Sequence, residues 1–493
     1  MIKPKLFISK SKFLAGLQCL KLLWYQYNDK AKIPEPDQEA KERMKQGIIV
    51  GQLAQKLYPQ GITIARDNNP LETAQRSMAA LSSRQPLFEA GFVYESGYAL
   101  PDILEPVGQD AWDLIEVKST SSVKEEHLLD AAFQKYVYQG SGLKINKVFI
   151  QHLNKAYKKN GDLDLNKLFI KEDVTSKIKD LLPDLGDKLA AMAKIISAEL
   201  PQINADKHCA KDCPLFSLCW SFLPQENVFL LRGRRKKALD LIEQGILQLA
   251  DIPSSIELDE KQAIQVKCHN SGKAYIDQEA VNNFLSELKY PLYFLDFETI
   301  ATAIPIYDLS GPHEPIPFQF SLHVIEKAGA QPKHYSFLAP GDIDPRPDLL
   351  KQLQELLGNQ GSIIIYNAVY EKICLRNAIK AYPAYAKWLK EIEIRIVDLL
   401  LPFRNFAYYH PAQKGSASIK YVLPALTGIS YNDLEIGGGG AARFEYMRVA
   451  LEEKVPEKEK QRVFKLLEQY CELDTRGMIE IVNFLKMSIQ GFQ

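Results

Sequence analysis

Several absences bound what this 493-residue chain can be. No run reaches roughly 18 apolar residues, so no segment reads as a membrane span. The basic N-terminus, MIKPKLFISKSKFLAGLQCLKLLW, has no apolar core followed by a small-residue cleavage site, and so does not read as a secretory leader. Cysteine is scarce: seven residues, odd in number and unevenly placed, argue against a disulfide framework. Net charge is absent, with 61 basic residues against 61 acidic ones. Bulk charge therefore does not announce a nucleic-acid binder, and any such surface must be a local patch. Repeats and low-complexity tracts are missing too. The expectation is a soluble, cytoplasmic protein without membrane contact.

What is present is an α/β pattern. The apolar fraction of 46% allows sizeable cores, and the length exceeds what one core fills, so two or three domains are expected. In the first stretch KERMKQGIIVGQLAQKLY reads as a helix, and LFEAGFVYES, YALPDILEPV and AWDLIEVKS read as consecutive strands. LLDAAFQKYVYQGSG is a helix, INKVFIQHL a strand, and VTSKIKDLLPDLGDKLAAMAKIISAEL one long helix. A charged connector occupies 225–288. Within it, KALDLIEQGILQLADIP reads as two packing helices about a glycine, with a weak resemblance to a backbone-contacting helix-hairpin-helix unit. The last domain runs from 289 to 493. The basic clusters Lys155–Lys159 and Arg232–Lys237 read first as solvated faces.

The strongest chemical signal lies in the last domain. PLYFLDFETI has strand character, and residues two apart on a strand share a face, so Asp296 and Glu298 converge. Two acids in an apolar setting repel each other and lose hydration unless a cation neutralises them. IIIYN is again strand-like, and the helical spacing of VYEKICLRNAI puts Glu371 on a first turn. In the amphipathic QRVFKLLEQYCELDTRGMIEIVNFL, Tyr470 and Asp474 share a helix face. Oxygen-only ligands favour Mg²⁺ or Mn²⁺ over zinc.

These residues resemble the DnaQ-like, or DEDD, exonucleases of the RNase-H-like fold. That family carries D-x-E, N-x-x-x-D and Tyr-x-x-x-Asp motifs. The counterparts are Asp296-Phe297-Glu298, Asn367 through Glu371, and Tyr470 through Asp474, with Glu371 where the family usually has Asp. The resemblance implies hydrolysis of phosphodiesters from a 3′ end, with two metal ions held by the four acids and Tyr470 orienting the attacking water.

Other segments of this domain bear on the site less directly. Asp398 in RIVDLLLPF either caps a helix, pairs with Arg395, or supports the acids. Ser416, Ser418 and Lys420 lie at the mouth of a helix where a phosphate could be held. EIGGGGAAR is no P-loop, because no Gly-Lys-Ser/Thr comes after it. Tyr408, Tyr409 and His410 either pack or stack on bases.

The first 224 residues carry a second constellation. Glu116 and Lys118 alternate on one strand, and Asp102 comes from its neighbour; two carboxylates can hold a cation while a lysine assists the attacking water. Pro101-Asp102 and Glu116-Val117-Lys118 resemble the PD-(D/E)xK nuclease signature. Gln134 and Tyr138 match the Gln-x-x-x-Tyr motif of its RecB-like subgroup, which implies contact with DNA or with the catalytic strand. The early histidine of that subgroup is missing, and Glu89 is a candidate extra ligand.

Cys209, Cys213 and Cys219 lie in HCAKDCPLFSLCW, and Cys19 near the N-terminus. With His208 the trio can form a zinc site. One upstream cysteine and a later trio also resemble the clasp of RecB-family nucleases, which implies a structural 4Fe–4S cluster on Cys19, Cys209, Cys213 and Cys219. Cys268, Cys374 and Cys471 read as buried small hydrophobes.

End to end, the chain resembles a bacterial family joining a RecB-like iron–sulfur nuclease domain (1–224, restriction-endonuclease-like) to an RNase-H-like exonuclease domain (289–493). The resemblance implies a metal-dependent nuclease acting on nucleic acid, DNA more than RNA. The rival expectation is a nucleic-acid-binding or scaffolding protein with one or both sites degenerate.

Overall fold

The computed structural model describes residues 6–203, 205–206, 209–210, 212–233, 235–451 and 454–490. Among them no helix is long and apolar enough to cross a membrane. The chain is mixed α/β and divides into two units, Met1–Ser221 with Thr302–His313, and Phe222–Ala301 with Glu314–Gln493. Two details depart from the expected boundaries. The connector belongs to the second unit, where Val228, Leu231, Leu241, Leu249, Ile252 and Val266 build an apolar cluster of their own. Thr302–His313 joins the first unit: Ala303 and Ile304 cover an apolar patch with Val50, Ile103 and Leu153, and the Ala303 N–H donates to Gln46 at 2.8 Å.

The first unit is built on six strands that lie in chain order across the sheet. They are β1 (Ile62–Thr63), β2 (Leu87–Phe88), β3 (Ile103–Val107), β4 (Ala111–Lys118), β5 (Lys144–Leu153) and β6 (Phe169–Asp173). β3 and β4 form an antiparallel hairpin, turned at Gly108 with φ +57°. β4 and β5 are parallel, so a crossover must join them.

Among the helices of this unit are α1 (Lys10–Gln18), α2 (Leu20–Asn28), α3 (Glu125–Gly140) and α4 (Leu185–Ser197). α3 is the crossover, and its Phe133 stacks on Phe13 of α1 at 4.8 Å. The expected strand LFEAGFVYES splits in two. Glu89 adopts a left-handed φ of +58°, and the chain leaves the main sheet there to pair Phe92–Tyr94 with Gly97–Ala99 in a small second sheet. The expected long helix over 174–200 is realised only as α4. Pro183 lacks an N–H and disfavours helical backbone at the residue before it, so the regular helix begins after it.

Of the expected helix–Gly–helix pair, only Arg235–Glu243 is a full helix. Gly245 turns the chain at φ +80°, and the second member is reduced to a single 3-10 turn, Leu249–Asp251. Gln248 has been drawn into a bridge with Asn227 instead.

The main sheet of the second unit has β7 (Leu292–Ile300), β8 (Ile316–Ile325), β9 (Lys333–Leu338), β10 (Ser362–Ile365) and β11 (Ile396–Asp398). Their spatial order is β9-β8-β7-β10-β11, with β7, β8 and β9 antiparallel and β10 and β11 parallel to β7. One face is apolar: Tyr293, Leu295, Phe297, Leu322, Ile363 and Ile365 join a core with Leu349, Leu353 and Leu375. On the other face, register sets Phe294 beside His323, Asp296 beside Ser321 and Glu298 beside Gln319. The helices that position the site are α5 (Ala368–Ala381), α6 (Ile419–Thr427), α7 (Gly439–Tyr446) and the 34-residue α8 (Glu457–Gln490). α8 crosses the polar face, where Gln319 donates to the Leu467 carbonyl at 3.0 Å and Ser321 meets Thr475 at 2.7 Å.

Candidate metal centre

Period two on β7 and period 3.6 on α8 bring three of the expected acids together. Asp296, Glu298 and Asp474 each present an oxygen within 4.8 Å of the others. Glu371, on the first turn of α5, stands outside that group but close enough to raise the Asp296 carboxyl electrostatically. It is 5% exposed, and its Oε2 has no hydrogen-bond partner. Such an orphaned, buried carboxylate oxygen is costly by itself and fits an all-oxygen cation site.

Burial is the largest influence on all four acids, followed for three of them by their neighbours' charges. Asp296 and Glu371 are pushed well above the usual carboxylate range. Glu298 rises to about 8, opposed by Lys420 and Arg443. Asp474 rises only to about 6, because the Tyr431 hydroxyl donates to its Oδ1 at 2.5 Å. The buried thiol of Cys471 lies 3.7 Å from Asp296 Oδ2.

Tyr470 shares the site, and burial holds it protonated by pushing its phenol up. A β-carbon built on Gly439 would stand 3.5 Å from Glu298 and 4.0 Å from the Tyr470 hydroxyl, so the glycine run passes close to Glu298. Lys420 donates to the Gly437 carbonyl at 2.9 Å and sits over the Tyr431 and Tyr470 rings at 5.8 and 5.6 Å. Tyr431 and the glycine run carry no local sign of belonging here. Only their approach in space shows it.

The supporting segments sort themselves. Asp398 is a clamp: it accepts from the Asn367, Ala368 and Leu400 amides at 3.0, 3.1 and 3.0 Å, fixing the start of the helix that carries Glu371. Arg395 instead donates to carbonyls of 357–361. Tyr408 and Tyr409 are buried packing residues, the latter stacked on Phe406 at 4.7 Å, and His410 accepts from the Ala412 amide. Ser416 and Ser418 line a cavity of about 350 Å³ with Arg232 and Arg404.

In the first unit, Glu116 is 1% exposed and is gripped from several sides. Its Oε1 accepts from Lys10 at 2.5 Å and Lys118 at 2.8 Å, and its Oε2 from Gln134 at 2.6 Å. Lys118 and Gln134 also reach Asp130, at 2.5 and 3.1 Å. Asp102 accepts from the Val117 amide at 2.7 Å. Burial would raise Glu116, yet the two ammonium groups outweigh it and hold the carboxyl below its usual range. Burial and the Glu116 charge push Asp102 up to about 7. Burial would lower Lys118, yet the charges of Glu116 and Asp130 outweigh it and push the ammonium above its usual range.

Tyr138 is fully buried and donates to the Ala90 carbonyl at 2.6 Å, within the core rather than on a nucleic-acid surface. Glu89 is engaged by Arg66. Lys10 and Asp130 join the cluster without being expected there; Asp130 lies one helical turn before Gln134, and that spacing is the only local signal it carries.

Cys19, Cys209, Cys213 and Cys219 line one cavity of about 130 Å³ with Trp220 and Phe216. Four thiols around one space fit a thiophilic metal group. His208 lies outside the described residues.

A family described as "Domain of unknown function (DUF2779)" matches residues 293–418. The match covers the second unit's main sheet with Asp296, Glu298 and Glu371, and ends before Tyr470 and Asp474. The "Uncharacterized protein MG366 homolog" of Mycoplasma pneumoniae is 28% identical over 246 residues, 45% of this chain and 37% of that protein. The "Uncharacterized protein MG366" of Mycoplasma genitalium is 28% identical over 239 residues, 44% of this chain and 35% of that protein. The matched stretch thus spans little more than a third of either relative, and the chain is similar to both in that part.

Proposed function

We propose that this protein is a metal-dependent nuclease with two centres, a DEDD-type exonuclease in the second unit and a RecB-like centre in the first. The observation that carries the reading is the buried cluster of Asp296, Glu298 and Asp474, with oxygens within 4.8 Å of each other and the partnerless Glu371 Oε2 nearby. Four carboxylates that burial drives toward protonation gain most from a divalent cation. The strand order β9-β8-β7-β10-β11, three antiparallel strands followed by two parallel ones, accords with an RNase-H-like sheet.

Mg²⁺ or Mn²⁺ bound there would supply Lewis-acid activation of a water and stabilisation of the leaving oxygen. The chain's own groups do the positioning. Tyr431 fixes Asp474 by hydrogen bond, Tyr470 offers a neutral hydroxyl to orient the attacking water, and Lys420 brings positive charge to a phosphate. Arg232 and Arg404 beside Ser416 and Ser418 suit the backbone of a nucleic-acid strand. In the first unit Asp102 and Glu116 would hold a cation in competition with Lys10, while Lys118 orients the water. The cysteine cavity would hold a 4Fe–4S cluster, or zinc, as a structural staple.

The test is release of nucleotides from end-labelled DNA and RNA strands in Mg²⁺ or Mn²⁺ by wild type, Asp296→Ala, Glu116→Ala and the double variant. Loss of 3′ release in Asp296→Ala is expected. Degradation by the double variant at the wild-type rate would overturn the proposal in favour of a binding or scaffolding role.

A further inference from the structure

Beside the carboxylates, on the same face of the second unit's sheet, lies a cluster of different chemistry. His323 on β8 stands directly opposite His334 on the edge strand β9, with their rings stacked at 4.5 Å. Glu472 of α8 completes a trio whose ligand atoms lie within 4.8 Å of one another. His323 is buried, Glu472 half-buried and His334 exposed, so the cluster opens to solvent on one side.

A hydroxyl chain decides which imidazole nitrogens are free. With the Thr475 proton on the Glu472 carbonyl, 3.1 Å away and able only to accept, all the contacts of this chain are satisfied together. Ser321 Oγ, 2.7 Å from Thr475, must then donate to it. His334 Nε2 meets Ser321 at 2.9 Å, and His323 Nδ1 meets Thr475 at 2.9 Å. Both hydroxyl protons are already committed, so both of these ring nitrogens are N–H donors. The remaining nitrogens, Nε2 of His323 and Nδ1 of His334, carry the lone pairs when the rings are neutral.

From this geometry we infer that His323, His334 and Glu472 form a second metal site, taking a divalent transition ion of the zinc, cobalt or nickel class. Metal-ligating histidines characteristically donate their second nitrogen to a fixed acceptor, and here Ser321 and Thr475 provide one for each ring. Imidazole ligands favour these ions, whereas the oxygen-only cluster of Asp296, Glu298 and Asp474 suits Mg²⁺ or Mn²⁺. Neighbouring sites on one sheet face would thus sort metals by ligand softness. A metal here would also tie β8 and β9 to the helix that bears Asp474. Burial, with His334 and Arg476 nearby, lowers the His323 imidazole to about 4 and keeps it in the neutral, ligating form. The inference stands apart from the nuclease proposal, since it concerns binding and not turnover.

Calorimetric titration of the full chain with Co²⁺ tests it, comparing wild type with His334→Ala, Ser321→Ala and Asp296→Asn. His334→Ala should lose one equivalent of Co²⁺, and Asp296→Asn should retain that equivalent. Ser321→Ala should weaken the same binding event by about 10- to 100-fold, the usual effect of removing a ligand's hydrogen-bond partner. His334 is exposed, so its replacement leaves the core intact, and a melting curve verifies this. Equal stoichiometry and affinity in wild type and His334→Ala would overturn the inference, as would loss of the event in Asp296→Asn alone.

Discussion

Lys10 and Glu116 are 106 positions apart and meet with 2.5 Å between Nζ and Oε1. The pair ties the first helix of the chain to the strand that bears Glu116-Val117-Lys118. With Lys118 on the same oxygen, two ammonium groups face Glu116 and Asp130 in a buried setting. Removing one ammonium leaves a desolvated carboxylate undercompensated.

Lys10→Ala should therefore destabilise the first unit by about 1.5–3 kcal/mol, the range for a hydrogen bond to a charged group. It should also lower the Mg²⁺ concentration needed for cleavage by the centre at Glu116, because it removes the ammonium that competes with the cation for that carboxylate. Denaturant unfolding and a nuclease assay in an Asp296→Ala background measure the two effects. Unchanged stability and Mg²⁺ requirement would show that Lys10 is a bystander.

The second unit should respond to pH in the direction set by its raised carboxyls. Asp296, Glu298, Glu371 and Asp474 keep their protons to higher pH when folded, with Glu298 at about 8 and Asp474 at about 6. Unfolded, such groups release them near pH 4. The folded state thus binds more protons across that window, and metal-free stability contributed by these groups falls as pH rises from about 4 to about 8. Mn²⁺ should raise the melting temperature more at pH 8 than at pH 5. A shift that is larger at pH 5 contradicts the assignment.

Glu371→Gln separates stability from activity. The carboxyl is buried and its Oε2 has no hydrogen-bond partner, so a neutral amide should leave the metal-free fold as stable as wild type or more so. Metal-dependent hydrolysis should fall at least about 100-fold if that oxygen serves the cation. Thermal melts in chelator, beside the labelled-strand assay, check both halves.

Tyr431→Phe removes the hydroxyl that donates to Asp474 while keeping the ring. Loss of such a supporting bond commonly costs about 10- to 100-fold in metal affinity or activity. Mn²⁺ affinity is the direct readout, and a variant that binds Mn²⁺ like wild type removes Tyr431 from the site.

Cys19→Ser should empty the four-thiol cavity. Metal analysis and the visible spectrum of anaerobically purified protein should show stoichiometric iron and sulfide in wild type and their loss in the variant. A colourless wild type with stoichiometric zinc would instead assign the zinc alternative.

Much of this was legible in the linear chain because chemistry and local period coincide. Asp296 and Glu298 alternate on an apolar strand, and Tyr470 and Asp474 are spaced by one helical turn, so each pair's common face came from backbone geometry. The cysteine trio and Cys19, expected together, line one cavity. Local patterning misled where a single residue overrode it: Pro183 cut the expected long helix, and left-handed Glu89 split the expected strand.

Assembly was a different matter. Lys10, Asp130, Tyr431 and the glycines at the start of α7 carry little signal of their own, since each acquires its role from elements distant in sequence. Whether Asp398 clamps a helix or holds a metal, and whether Tyr408 packs or stacks, turned on burial and hydrogen-bond partners. Local period sets which side chains share a face. Only the packing of α8 across β7 and β8 decided which faces meet, because burial energy and charge compensation are properties of the assembled site.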